Sequence, residues 1–185
     1  MKRLCELFAF CALSLILTGC FEDELREMPT PVALSIEHDG YFCSMTIADH
    51  PGPKAQIHVA GQAAPLWFAQ VRDMFGFIML PGESREITAL YVTDMSANTS
   101  WDNTNDGPWI DPKNAWFVIN SKRIGGMGAL EVVPFSVKAD AMIFAQEFGG
   151  QVLTYSEVPS DYIFDTSMNL SRTDSNPDSD GSITN

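Results

Sequence analysis

The leader of this chain decides how the rest must be held together. Lys2 and Arg3 precede a mostly apolar run from Leu4 to Leu17, broken only by Glu6. Leu17-Thr18-Gly19-Cys20 then closes it with small residues ahead of a cysteine. A basic start, a short apolar stretch and such a cleavage site form a secretory signal of the bacterial lipoprotein kind. Residues 1–19 are expected to be removed and Cys20 to carry the lipid. The run is too short and wrongly flanked for a transmembrane helix. Cys5 and Cys11 leave with the leader and Cys20 is consumed by lipid, so of four cysteines only Cys43 stays a thiol. No disulfide is then possible within the mature chain, although an oxidising compartment would permit one. The fold must rest on an apolar core, and residues 20–185 are long enough to build one in a single domain.

Charge limits the partners. The formal net charge is -13, and loss of Lys2, Arg3 and Glu6 makes the mature chain one unit more acidic. A surface of this sign argues against nucleic acid and anionic lipid, and suits cations or a basic protein. Residues 20–31 form a charged, proline-bounded linker from the anchor. Residues 32–170 form the expected folded domain. Residues 171–185 are Ser, Asp, Asn, Thr, Pro and Gly with one Ile, an acidic tail that cannot bury apolar surface and is expected to be disordered. Phe21, where an Asp would argue for inner-membrane retention, points to the outer membrane, with the protein facing the periplasm.

Periodicity places the elements. Tyr41–Ala48 alternates and predicts a strand, followed by the turn cluster His50-Pro51-Gly52-Pro53 and a second strand over 55–60. The two are expected to pair as a hairpin. Trp67, Val71, Met74, Phe75 and Ile78 recur at helical spacing and predict a helix over 65–80, ended by Pro81-Gly82. A strand follows over 87–93. The order then returns: strands over 115–120 and, more weakly, 129–132, a helix over 134–148 ended by Gly149-Gly150, and a strand over 151–155. Phe-Ala-Gln occurs in both predicted helices, at Phe68–Gln70 and Phe144–Gln146. The expected class is α+β, two tandem ββαβ units with antiparallel sheet and packed helices. The long connection from Asp94 to Asn114 carries Trp101 and Trp109. Its Asp102, Thr104 and Asp106 imitate a calcium loop, but Lys113 stands at the twelfth position, so a Trp-anchored surface loop is expected instead. Asn176, Asp178 and Asp180 imitate one in the tail, which ends too soon to complete it.

The chemistry lies in Cys43 and Met45. On a strand they would project from one face with α-carbons roughly 6.5–7 Å apart. Thiolate with thioether is a soft donor set that favours Cu(I) over zinc, calcium or magnesium. The bland alternative is a cysteine and a methionine in a half-buried strand. The third ligand must come from elsewhere. Met127 sits among glycines in Gly125-Gly126-Met127-Gly128, a poor place for a packing methionine and a good one for a presented thioether. His58 would fall opposite Met45 if the hairpin closed with Ala48 opposite Ala55, a register that one residue of slip destroys. Met74 lies on the apolar stripe of the first helix, where core is the simpler role. His50 begins a Pro-Gly turn, and His38 precedes Asp39-Gly40, where turn chemistry explains it.

The ordered set of motifs resembles the NosL family of lipoprotein copper chaperones. The set comprises the Leu17–Cys20 lipobox, Cys43-Ser44-Met45, His50-Pro-Gly-Pro-Lys-Ala-Gln-Ile57, Arg72-Asp-Met-Phe-Gly-Phe77, Tyr91-Val-Thr-Asp94 and Ser121-Lys-Arg-Ile-Gly-Gly-Met127-Gly128. The resemblance covers nearly all of the mature chain except the acidic tail. It implies a repeated ββαβ fold, Cu(I) at Cys43 and Met45, and delivery to the tetranuclear copper site of nitrous oxide reductase. It also implies contact with the maturation transporter and its periplasmic accessory protein, and it supports testing Met127.

Two other classes stand beside the chaperone. The NosL fold is similar to part of the organomercurial lyase fold, but that chemistry uses paired thiols with a carboxylate, and only Cys43 is available here. A Cys/His nucleophile with His58 or His50 lacks an oxyanion or third-residue pattern. No enzyme is expected. The remaining alternative is a tethered binding module that takes no metal and in which Cys43 is buried core.

Overall fold

The computed structural model describes residues 28–82, 85–97 and 100–165. The leader, Cys20 and the acidic tail lie outside the described residues. None of the described helices is long and apolar enough to cross a membrane.

Two antiparallel sheets are built to the same plan. In the first unit β1 (Ala55–Val59) and β2 (Leu66–Phe68) precede helix α1 (Val71–Met79) and β3 (Ile87–Thr93), in the sheet order β2-β1-β3. A short β4 (Trp109–Ile110) extends that sheet beyond β3. In the second unit β5 (Trp116–Ile119) and β6 (Val133–Phe135) precede α2 (Lys138–Phe148) and β7 (Gln151–Thr154), in the order β6-β5-β7. A last helix, α3 (Ser160–Phe164), packs against α1. In each unit the first strand is central and the helix crosses between the second and third, so the ββαβ repeat is real. The Phe-Ala-Gln echo is not part of it, because Phe68 lies in β2 and Phe144 in α2.

Four predicted elements differ from those observed. The segment 41–48 is no strand: it is a turn followed by a short 3-10 helix over Ile47–Asp49. The β1 hairpin partner is β2, with Ala55 opposite Phe68 and Ile57 opposite Leu66. The predicted helix 65–80 therefore begins only at Val71, because Leu66, Trp67 and Phe68 fill an open edge of β1. The predicted helix 134–148 begins only at Lys138, because Val133–Phe135 pairs with β5. Pro134 is tolerated there because β6 is an edge strand. The weak strand near 129–132 reduces to a single bridge between Ile124 and Leu130.

Packing joins the units into one core. β1 alternates: Ala55, Ile57 and Val59 enter the main core with Phe68, Val71, Met74 and Phe75. β5 alternates as well, so that Phe117 and Ile119 join that same core while Val118 and Trp116 face the cluster with Ala141 and Phe144. The Phe75 ring meets the Phe117 ring edge-on at 5.4 Å between centroids, and Tyr155 tilts over Phe75 at 5.3 Å. Helix α1 is thus packed between the two sheets' contributions. The other face of β1 carries Gln56 and His58, covered by the incoming chain. Val32 exchanges two hydrogen bonds with the Gln56 amide (2.9 and 3.0 Å), and the Tyr91 hydroxyl donates to the Pro29 carbonyl (2.7 Å).

The long connection is anchored by its tryptophans. Trp101 stacks on Phe144 at 6.2 Å and Trp109 meets Trp67 edge-on at 5.8 Å. Thr104 is fully buried and donates its hydroxyl to the Gly52 carbonyl (2.6 Å). The Asn105 amide donates to the Ala48 carbonyl (3.1 Å), and Gly52 N–H donates to the Trp101 carbonyl (2.7 Å). The loop therefore braces the turn that follows the Cys43–Met45 segment.

Candidate metal centre

Residues 40–45 form a tight closed turn. Ser44 N–H donates to the Gly40 carbonyl (2.8 Å) and Gly40 N–H donates to the Met45 carbonyl (2.9 Å). Closing so short a loop requires a left-handed residue, and Ser44 supplies it at φ 52. Gly40 is required for a different reason: a Cβ there would collide with Cys43 Sγ. The thiol thus lies across the backbone of the turn. Cys43 is half-buried, packed beside the cluster of Ile47, Trp67 and Ala69, whereas Met45 is 44% exposed. Both donors therefore sit on one turn, the sulfur of Cys43 at its floor and Met45 at its rim. Phe42, 50% exposed, stands beside them with its ring edge against Phe68 at 5.6 Å.

The glycine loop comes from the second unit and docks against His50, Pro51 and Ala69. Ile124 bridges Leu130, Gly125 N–H donates to the Ala129 carbonyl (2.8 Å), and Gly128 N–H donates to the Gly125 carbonyl (2.9 Å). The loop is exposed but firmly hydrogen-bonded. Gly126 lies so close to the His50 Cβ, the Pro51 carbonyl and the Ala69 carbonyl that an added Cβ would fall within 2.6, 2.8 and 3.3 Å of them. His50 Nδ1 hydrogen-bonds to the Gly126 carbonyl (3.0 Å), which makes Nδ1 the protonated nitrogen and leaves Nε2 as the imidazole donor. Met127 N–H donates to Gln70 Oε1 (2.9 Å), and the Met127 side chain is 36% exposed. Ala69 and Gln70 follow β2 directly, and Ala69 belongs to the small cluster against which Cys43 packs.

The other candidates are placed elsewhere. His58 is buried on β1 opposite Ala89, with a ring nitrogen 3.0 Å from Gln56 Oε1 and Tyr91 edge-on at 5.7 Å. The expected register opposite Met45 does not form, because β2 and β3 occupy both edges of β1. Burial also pushes the His58 pKa down. Met74 is fully buried in the main core. His38 stacks on Trp67 (4.6 Å) and its Nδ1 accepts Ser35 N–H (3.1 Å), a turn role.

Three polar residues that sequence reasoning passed over hold this region. Lys54 is fully buried and donates Nζ to the carbonyls of His50 and Gly52, with Thr104 Oγ1 at 3.5 Å. Burial lowers its pKa to about 8, against the opposing pull of Glu131. Gln70 supports the Met127 loop and donates Nε2 to Asp73 (3.3 Å). Glu131 lies behind the loop with one oxygen on Arg72 N–H. The available signal for Glu131 was a lone carboxyl within the apolar run Ala129–Val133.

Comparison with known proteins now decides the family. The family model described as NosL matches residues 31–163. The chain belongs to the NosL family. A copper-binding lipoprotein NosL from Achromobacter cycloclastes is 40% identical over 152 residues, 82% of this chain and 79% of that protein. Its counterpart from Stutzerimonas stutzeri is 35% identical over 144 residues, 77% of this chain and 73% of that one. The crystal structure of the copper chaperone NosL from Shewanella denitrificans superposes with a TM-score of 0.66 at 30% identity, covering 72% of this chain and 98% of that one. The NosL relatives are thus named for copper binding and chaperone work, not for catalysis, and the expectation of no enzyme agrees with them.

Proposed function

We propose that this chain is a lipid-anchored, periplasm-facing Cu(I) chaperone. Cys43 and Met45 hold the ion, Met127 supplies a third donor, and the cargo goes to the tetranuclear copper site of nitrous oxide reductase. The observation that carries the reading is a free thiol and an exposed thioether on one closed turn. Among the described residues no group of three or more His, Cys, Asp and Glu side chains converges as a metal site. A centre at Cys43 and Met45 pairs thiolate with thioether, a set that favours monovalent copper. His50 Nε2 is the one imidazole nitrogen close to the loop that could substitute for Met127. A shallow site with two or three donors suits a carrier: an incoming ligand attacks the exposed side, and the ion leaves by exchange. The thiol loses its proton on binding, so this part of the affinity weakens as pH falls. Lipidation at Cys20 with the anchor in the outer membrane keeps the site in the periplasm. The transporter of the maturation system and its periplasmic accessory protein are the contacts to expect there.

The reading is tested in cells that make the reductase and lack this chain. Restoring the native chain is expected to restore copper content and nitrous oxide reduction. Restoring Cys43→Ala is expected to leave the reductase short of its tetranuclear copper. A fully loaded reductase with Cys43→Ala at limiting copper would overturn the reading.

A further inference from the structure

Glu131 has no contact with solvent. Its Oε1 accepts two backbone N–H groups, from Arg72 at the start of α1 (3.0 Å) and from Val132 (2.8 Å). Its Oε2 is buried and has no hydrogen-bond partner among the described residues. That oxygen lies against Gly125: a Cβ at Gly125 would come within 2.5 Å of Glu131 Oε2 and of Gln70 Oε1 alike. Gln70 Oε1 is the acceptor for Met127 N–H. Two acceptor oxygens therefore flank the point where a Gly125 Cβ would stand, behind the loop that presents Met127. A proton on Glu131 Oε2 supplies the missing donor. Without it a bare carboxylate oxygen is left buried with a second acceptor oxygen across Gly125.

We propose that Glu131, acting through Gln70 and Gly125, is a positioning residue for Met127: the protonated carboxyl seats the Gly125–Gly128 loop, and loss of the proton unseats it. The proposal rests on the reading that Met127 serves the copper site. Burial raises the Glu131 pKa to about 8, and the Asp73 charge adds to this, while the two backbone N–H groups and Lys54 act against it. The Arg72 guanidinium is turned away to the carbonyls of Ile163 and Asp165 (3.1 and 2.8 Å), with the Leu130 carbonyl at 3.5 Å. His50 meets the loop on its outer side through Gly126. The sign follows: a carboxyl whose folded pKa is raised favours the seated loop fully below about 4.5 and loses that contribution as pH climbs through about 8. This trend opposes the one from Cys43, whose thiolate favours binding as pH rises.

The test uses the mature lipidated chain in detergent with 13C-labelled methionine methyl groups. In the copper-free native chain the Met127 methyl signal is expected to shift with a midpoint near pH 8. In Glu131→Gln, which carries a permanent donor in the same shape, it should stay at its low-pH position throughout. Gln70→Ala should show the unseated signal at all pH values. The ratio of Cu(I) affinities, native over Glu131→Gln, cancels the Cys43 contribution and should fall by about tenfold as pH passes 8. Identical Met127 profiles in the native chain and Glu131→Gln would overturn the proposal. A methyl shift that follows Glu131 beside a flat affinity ratio would support the positioning role and remove Met127 from the copper site.

Discussion

Cys43→Ser is expected to abolish tight Cu(I) binding while leaving the fold standing. The thiol is the sole thiolate source among the described residues, and a serine oxygen is a hard, undissociated donor that monovalent copper does not favour. Loss of an outer partner of a metal ligand already lowers affinity about 10–100-fold, so loss of the ligand itself should exceed 100-fold. Stability should change little, because Cys43 is half-buried at the margin of a small cluster and serine keeps its shape, an effect on the order of 1 kcal/mol. Titration against a Cu(I) competitor, alongside thermal melting of the copper-free chain, separates the two effects. Native affinity in Cys43→Ser would place the copper elsewhere.

The largest stability effect should come from Phe117→Ala. Phe117 is fully buried on β5, edge-on to Phe75 of α1 and tilted against Tyr155 at 6.4 Å. Truncating such a ring removes its burial and leaves a cavity, together about 3–5 kcal/mol. That is a large part of the total stability of about 5–15 kcal/mol usual for a domain. Because Phe117 belongs to the second unit and Phe75 to the first, the loss should lower a single unfolding transition that both units share. Denaturant titration followed by tryptophan fluorescence and by far-ultraviolet circular dichroism checks this. Two separate transitions, only one of them shifted, would contradict a common core. The functional consequence is direct, since the Cys43 turn comes from the N-terminal segment and the Met127 loop from the second unit. A copper site shared by the two would depend on the units moving as one.

The repeat was legible because both units carry β-branched and aromatic strands at similar spacing around a helical stripe. The boundaries were less so. Leu66, Trp67 and Phe68 continue the apolar period of α1 by coincidence, and only the open edge of β1 makes them a strand. The segment 41–48 misled for a related reason. Alternating apolar residues fit either a strand or a turn, and periodicity does not register that Ser44 takes a left-handed conformation over Gly40. The proposed donor pair follows from residue type alone, because thiol and thioether are soft donors in any conformation. The support beneath it was not. Glu131 meets Arg72 N–H, and Gln70 meets Met127 N–H, across more than fifty residues of chain. Until the fold brings such partners together, each is only a polar residue in an apolar setting. His58 failed in the opposite way: its type was suggestive, but both edges of its strand were already taken.

The Cys43–Met45 turn is proposed to hold monovalent copper through sulfur. X-ray absorption at the copper edge of the Cu(I)-loaded mature chain tests it most directly. A first shell of three sulfur scatterers is expected, from Cys43, Met45 and Met127, reduced by one in Met127→Ala. A first shell of nitrogen and oxygen without sulfur, or one that Cys43→Ser leaves unchanged, would contradict it.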